Sequence, residues 1–323
     1  MTETRESIKY QRVLVGVDCS TQAEFVVEQA IRMAQYHHAQ LLIFHALPFD
    51  TDLNAGSYSD LYGQNLSYFA RTMQEKLEAE GEQVREWLSA YCDRATQAGV
   101  QADWDWRVGD PGRKIQEYAK KWQADLIVLG RRGVNGLLEM FMGSVSNYVV
   151  HHSQCSVFVV QGLPKDTEQV THQRILIPLD QSKHTDKILA LGLQMAKQEK
   201  AGVMLLHCQP LEDRIDYFRE AYSEEFLHRT QALQNEIVQN TQRDEKWLSD
   251  YAQEAIAQEI PTEWEIKQGD AGFWIRKVAE TWQADLIVIG RQGHSTLTEF
   301  FLGSVSNYVI HHAPCSVLVH QKH

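Results

Sequence analysis

Short, nearly unbroken apolar runs alternate along this chain with longer stretches in which apolar residues recur every three or four positions. Runs of the first kind suit strands buried on both faces of a parallel sheet, and the helical periodicity between them suits helices packed outside it. The pattern predicts strands over residues 12–18, 40–47, 102–108, 125–130 and 156–160, and a second set over 174–180, 202–209, 262–268, 285–290 and 316–320. Each set reads βαβαβαβαβ. Asp110, followed by Pro111, and Asp270 are the predicted N-caps of the helices before the fourth strands, since proline at the first helical position gives up an N–H that has no partner there.

The two sets are copies of one unit. "RVLVGVD" from Arg12 returns as "RILIPLD" from Arg174, and "ADLIVLG" from Ala124 returns as "ADLIVIG" from Ala284. The offset is 162 at the first pair and 160 at the last, so the whole unit is duplicated with little insertion or deletion. The reading is therefore α/β, with two tandem doubly wound five-stranded parallel-sheet domains, strand order 3-2-1-4-5, and helices on both faces. Domain 1 spans 1–162 and domain 2 spans 174–323. The polar stretch 163–173 between them, with Pro164, serves as the linker.

About 55 residues separate strands two and three in each half, more than a crossover helix needs. A loop or short helix followed by a long charged helix is expected. Its aromatic residues (Tyr58, Tyr62, Tyr68 and Phe69; Tyr217, Phe218, Tyr222 and Phe226) either cover a ligand crevice, form a partner surface, or pack beneath a solvated face.

Charge narrows the partners. With 31 Lys and Arg against 43 Asp and Glu, the formal net charge of −12 disfavours nucleic acid and anionic membrane, and any bound phosphate must be held by local geometry. The polar start and the lack of a long apolar run point to a cytoplasmic protein. Five cysteines with no CxxC pair read as reduced thiols. The doubled histidines at 37–38, 151–152 and 311–312 do not share a helix face as adjacent residues, so no metal site is expected, and the last two pairs fit helix C-termini.

The chemistry sits in "GRRGVNGLLEMFMGSVSNYVVHH", from Gly130, and its repeat "GRQGHSTLTEFFLGSVSNYVIHH", from Gly290. Strand order 3-2-1-4-5 puts the crevice between strands one and four, at their carboxyl ends, and so brings Asp18 beside Gly130. Gly130 turns the chain, Gly133 lets backbone lie close to a ligand, and Gly143 lets the amides of Ser144 and Val145 approach phosphate oxygens at a helix N-terminus. The structural alternative is that Ser144 only caps the helix, and that Asp18 only caps the first one. GxxxxGK[ST] is absent, and so is a GxGxxG after the first strand, which argues against a P-loop hydrolase and a dinucleotide-binding unit.

Glycine, two residues, glycine, nine residues, then Gly-Ser resembles the signature of the ATP-binding universal stress proteins. Both copies fit it: Gly130, Gly133, Gly143, Ser144, and Gly290, Gly293, Gly303, Ser304. The Asp-x-Ser after strand one (Asp18, Ser20; Asp180, Ser182) and the histidines near the end of strand two (His45; His207) extend the resemblance over nearly the whole chain, as a tandem-domain member. The resemblance implies an adenine nucleotide, ATP or another, with or without Mg2+, in one or both crevices. Asp18 and Asp180 would contact the ribose or adenine side, and Ala46 and Cys208 the base through their backbone. The glycines, with Ser144 and Ser304, would hold ribose and phosphates beside Val145 and Val305, and Arg131 and Arg291 stand in the same loops. Arg131 with Arg132, and the extra Gly136 where the second loop has Thr296, favour the first crevice.

The functional expectation is a stress-response regulator whose nucleotide occupancy changes how it meets an unknown protein partner, with a homodimer or an intramolecular pseudo-dimer packed through the last strands. No nucleophile, base and orienter come together in the sequence, so no catalytic residue is assigned. The alternatives are a non-catalytic interaction scaffold with empty or non-nucleotide sites, and a slow ATPase or autophosphorylating protein.

Overall fold

The computed structural model describes residues 8–48, 64–132, 142–161, 173–210, 224–293 and 302–321. They form two compact units, the first within Lys9–Leu163 and the second within Pro164–Lys322. The first runs β1 (Arg12–Val17), α1 (Ala23–His37), β2 (Gln40–Leu47), α2 (Gln64–Gln97), β3 (Ala102–Val108), α3 (Pro111–Trp122), β4 (Leu126–Gly130), α4 (Ser144–His152) and β5 (Ser156–Val160). The second repeats it as β6 (Arg174–Leu179), α5 (Thr185–Glu199), β7 (Gly202–Gln209), α6 (Glu224–Ala257), β8 (Thr262–Gln268), α7 (Ala271–Thr281), β9 (Leu286–Gly290), α8 (Ser304–His312) and β10 (Ser316–His320). Strand order is β3-β2-β1-β4-β5 in one and, by the same rule, β8-β7-β6-β9-β10 in the other.

Continuous apolar runs do form the central strands. Val13, Leu14 and Val15 of β1 and Ile175, Leu176 and Ile177 of β6 have no exposed surface. Parallel pairing sets Val13 opposite Leu41 on one side and Leu126 on the other. The first strands end at Val17 and Leu179, one residue before Asp18 and Asp180. The fourth begin one residue after Asp125 and Asp285, because those carboxylates leave the ladder to clamp the start of the first strand. Asp125 accepts from the N–H groups of Gln11 (2.6 Å) and Arg12 (3.1 Å), and Asp285 from those of Gln173 (2.9 Å) and Arg174 (3.0 Å).

Capping follows the sequence at two helices and departs from it at four. Asp110 accepts from Arg113 N–H at 2.9 Å and Asp270 from Phe273 N–H at 2.6 Å, so α3 and α7 start where expected. Ser144 is not an N-cap: Gly143 and Gly303 hold that position with extended backbone and no side-chain bond, leaving the serines as the first helical residues. Nor do Asp18 and Asp180 cap α1 and α5, whose N-caps are Gln22 and His184. The long helices α2 and α6 have 34 residues each. Among the named aromatics of the insertions, Tyr58, Tyr62, Tyr217, Phe218 and Tyr222 lie outside the described residues. No helix among the described residues is long and apolar enough to cross a membrane.

Candidate nucleotide crevice

Where the carboxyl ends of β6 and β9 part, the second unit carries a cavity of ≈ 300 Å3. It is lined by Asp180, Ser182, Cys208, Gly290, Gly293, Gly303, Ser304 and Val305, eight of the nine second-half residues expected from the sequence. The ninth, Arg291, does not line it and is 4% exposed. Sequence reasoning passed over Pro178, Thr185 and the apolar wall of Ile188, Leu206, Ile275 and Ile289, which also face the cavity. The wall residues, Leu206 and Ile289 on strands and Ile188 and Ile275 on helices, carry the ordinary apolar period of core positions, so only their place around the cavity distinguishes them. Thr185 stands where the first unit has Ala23, a difference the repeat itself exposes.

Each part of the crevice has a local cause. Asp180 turns just after β6: its Oδ1 accepts from Ser182 N–H at 3.3 Å, with Thr185 Oγ1 also at 3.3 Å. The one Thr185 hydroxyl proton is shared between that Oδ1 and the nearer acceptor, the Asp180 carbonyl. Asp180 Oδ2 lies against Gly293, where a Cβ would collide with it, so the glycine loop and the carboxylate close on the same space. On the opposite rim Gly303 N–H donates to Arg291 C=O at 2.9 Å, and Ser306 Oγ donates to Gly290 C=O at 2.7 Å. These two bonds dock the start of α8 on the end of β9. Because Gly303 brings no side-chain acceptor, the first-turn N–H groups and the positive end of the helix dipole serve the cavity instead.

The first unit has the same frame. Asp18 Oδ1 accepts from Ser20 N–H at 3.1 Å, Gly143 N–H donates to Arg131 C=O at 2.8 Å, and Ser146 Oγ donates to Gly130 C=O at 2.6 Å. Ala46 is buried on β2, Val145 is half-buried and Ser144 exposed. Arg131 is buried, with its guanidinium donating to Gln161 at the end of β5. Gly133 and Gly136, like Thr296 of the second loop, lie outside the described residues.

Beneath each crevice a histidine braces the first strand. His45 Nδ1–H donates to Val17 C=O at 2.8 Å and His207 Nδ1–H to Leu179 C=O at 2.9 Å, each ring packing edge-on against a tryptophan of the long helix, Trp87 or Trp247. Burial lowers the His45 pKa from its ordinary value despite that bond. Burial, with Asp270 adding to it, pushes the Cys208 thiol up to about 12, so it faces the cavity as a neutral group and not as a thiolate nucleophile.

A profile of the universal stress protein family matches residues 9–161 and again residues 171–321. The chain belongs to the universal stress protein family. Within it, a universal stress protein of Synechocystis sp. is 44% identical over 152 residues, which cover 47% of this chain and 98% of that one. A universal stress protein of Mycolicibacterium smegmatis is 24% identical over 311 residues, 95% of this chain and 96% of that one. Among solved structures, a universal stress protein from Archaeoglobus fulgidus superposes with a TM-score of 0.58 at 20% identity, covering 96% of both chains. The tandem layout read from the repeat is thus a family arrangement, with one family unit in each half.

Proposed function

We propose that this universal stress protein is a nucleotide-dependent regulator that takes an adenine nucleotide, ATP, ADP or AMP, in the crevice of one or both units. The observation that carries this reading is the convergence of Asp180, Gly293, Gly303, Ser304 and Val305 on one cavity. Its donor set fits the ligand. A helix N-terminus without a side-chain cap suits phosphate oxygens, a fixed carboxylate suits ribose hydroxyls, and the apolar wall beside Cys208 suits a base. A molecule with a net charge of −12 gives a polyphosphate no long-range attraction, so these local donors must supply the selectivity. Mg2+ enters as the companion of ATP phosphates. Occupancy is then passed to a protein partner by a shift between conformations that bind nucleotide differently.

Protein purified without added nucleotide should release adenine absorbance on denaturation, or gain about 2–4 kcal/mol of stability when ATP is supplied in useful excess. The absence of both, with no adenine released and no rise in melting temperature on adding ATP, would sink the reading.

A further inference from the structure

Duplication gives this chain an internal control, because every described position around one crevice has a counterpart around the other. Three of the differences bear on the carboxylate after the first strand and the rims beside it. Thr185, with its hydroxyl within reach of Asp180 Oδ1, replaces Ala23, whose methyl side chain has no hydrogen-bonding group. Pro178 replaces Gly16. The β1–β4 ladder runs from Val13 opposite Leu126 to Gly16 opposite Leu129, whereas the β6–β9 ladder stops after Leu176 opposite Ile287. Pro178 has no N–H to extend that ladder, and it lines the cavity together with Ile289 where the two strands part.

The third difference is a polar strap. Asp244 on α6 accepts from Gln181 Nε2 at 2.6 Å and from Gln209 Nε2 at 2.7 Å, and stands 3.7 Å from His207 Nε2. Gln181 directly follows Asp180, and Gln209 directly follows Cys208, so one helix side chain fixes both edges of the crevice. The first unit has Cys19, Leu47 and Val84 at the three positions, and these side chains form no such strap. A crevice whose carboxylate and rims are fixed before the ligand arrives loses less freedom on binding.

From these differences we infer that the second unit holds the tighter adenine-nucleotide crevice, and that Thr185 and Asp244 are positioning residues for it. This rests on the nucleotide reading above and reverses the preference for the first crevice drawn from its glycine and arginine content. The test is hydrogen exchange on the full chain titrated with Mg·ATP, which reports each crevice separately. Protection of segments covering Asp180 to Ile188 and Ser304 to Asn307 should reach its midpoint at an ATP concentration about tenfold below that for Asp18 to Val26 and Ser144 to Asn147. Thr185→Val, which keeps the shape and loses the hydroxyl, should erase the tenfold lead, and Thr185→Ser should restore it, which a packing role for Thr185 would not produce. Asp244→Ala gives an independent variant, expected to shift the same midpoint and leave the first crevice unchanged. Equal midpoints, an earlier midpoint in the first unit, or equal loss in Thr185→Val and Thr185→Ser would overturn the inference and leave the nucleotide reading standing. Absence of protection in both units would remove that reading as well.

Discussion

Gly293 and His45 show how single residues carry opposite kinds of information. A Cβ on Gly293 would meet Asp180 Oδ2, although the glycine itself is exposed and supports no core. Gly293→Ala should therefore weaken ATP binding in the second crevice by about tenfold, read by calorimetric titration, with a melting temperature near that of the parent. His45 is the reverse case, a buried group whose chemistry belongs to stability. Its folded pKa is depressed below the ordinary 6.5, so below that pH the unfolded chain takes up a proton that the folded chain resists. The stability it contributes is complete above pH 6.5 and is lost as the pH falls through 6.5 toward the folded value. His45→Gln should flatten that part of the acid limb, seen as a smaller drop in the urea midpoint of the first unit between about pH 7 and pH 5.

At the level of elements, the strands and the starts of α3 and α7 were legible because their causes are local. The central strands are apolar throughout, and Asp110 before Pro111 announces α3. Asp110→Ala should cost about 1 kcal/mol, measured by chemical denaturation, since it strips the acceptor from Arg113 N–H. The start of α4 was less legible. Both Gly143 and Ser144 suit a helix boundary, and the choice is made by the Gly143 N–H bond to Arg131 C=O together with the Ser146 bond to Gly130 C=O. Those contacts join residues on opposite sides of the glycine-rich loop, and spacing alone does not say that the loop folds to bring them together. The same is true of Arg12 and Arg174. Each opens a first strand and donates to the C-terminal end of a helix, at Trp122 C=O (2.9 Å) and at the C-cap Trp282 C=O (2.8 Å), which explains why "R" and "AD" recur together as parts of one clamp.

For the whole molecule, the repeated family unit suggests that each half is an autonomous folding unit. The Synechocystis relative, matched over 98% of its length by only 47% of this chain, supports that expectation. Residues 9–161 and 171–321 expressed separately should each unfold cooperatively, with one thermal transition by circular dichroism. A fragment that stays unfolded would show that the halves depend on each other. In the full chain, ATP at about 100 times its Kd should stabilise the occupied unit by about 2.7 kcal/mol, seen as a selective upward shift of that unit's transition in calorimetry.

The sequence by itself determined the duplication, the α/β class, the strand order and the family, because apolar runs, helix caps and a fixed glycine spacing act through near neighbours or repeat in register. It also singled out eight residues that line the second cavity. Only the tertiary structure decided that Arg291 stands apart from that cavity, that Thr185 reaches Asp180, and that Asp244 ties Gln181 to Gln209 from a helix 63 and 35 residues away. A hydroxyl, a carboxylate or a proline has no fixed meaning in a sequence. Its effect depends on which donor, acceptor or strand edge the fold brings within about 3 Å of it.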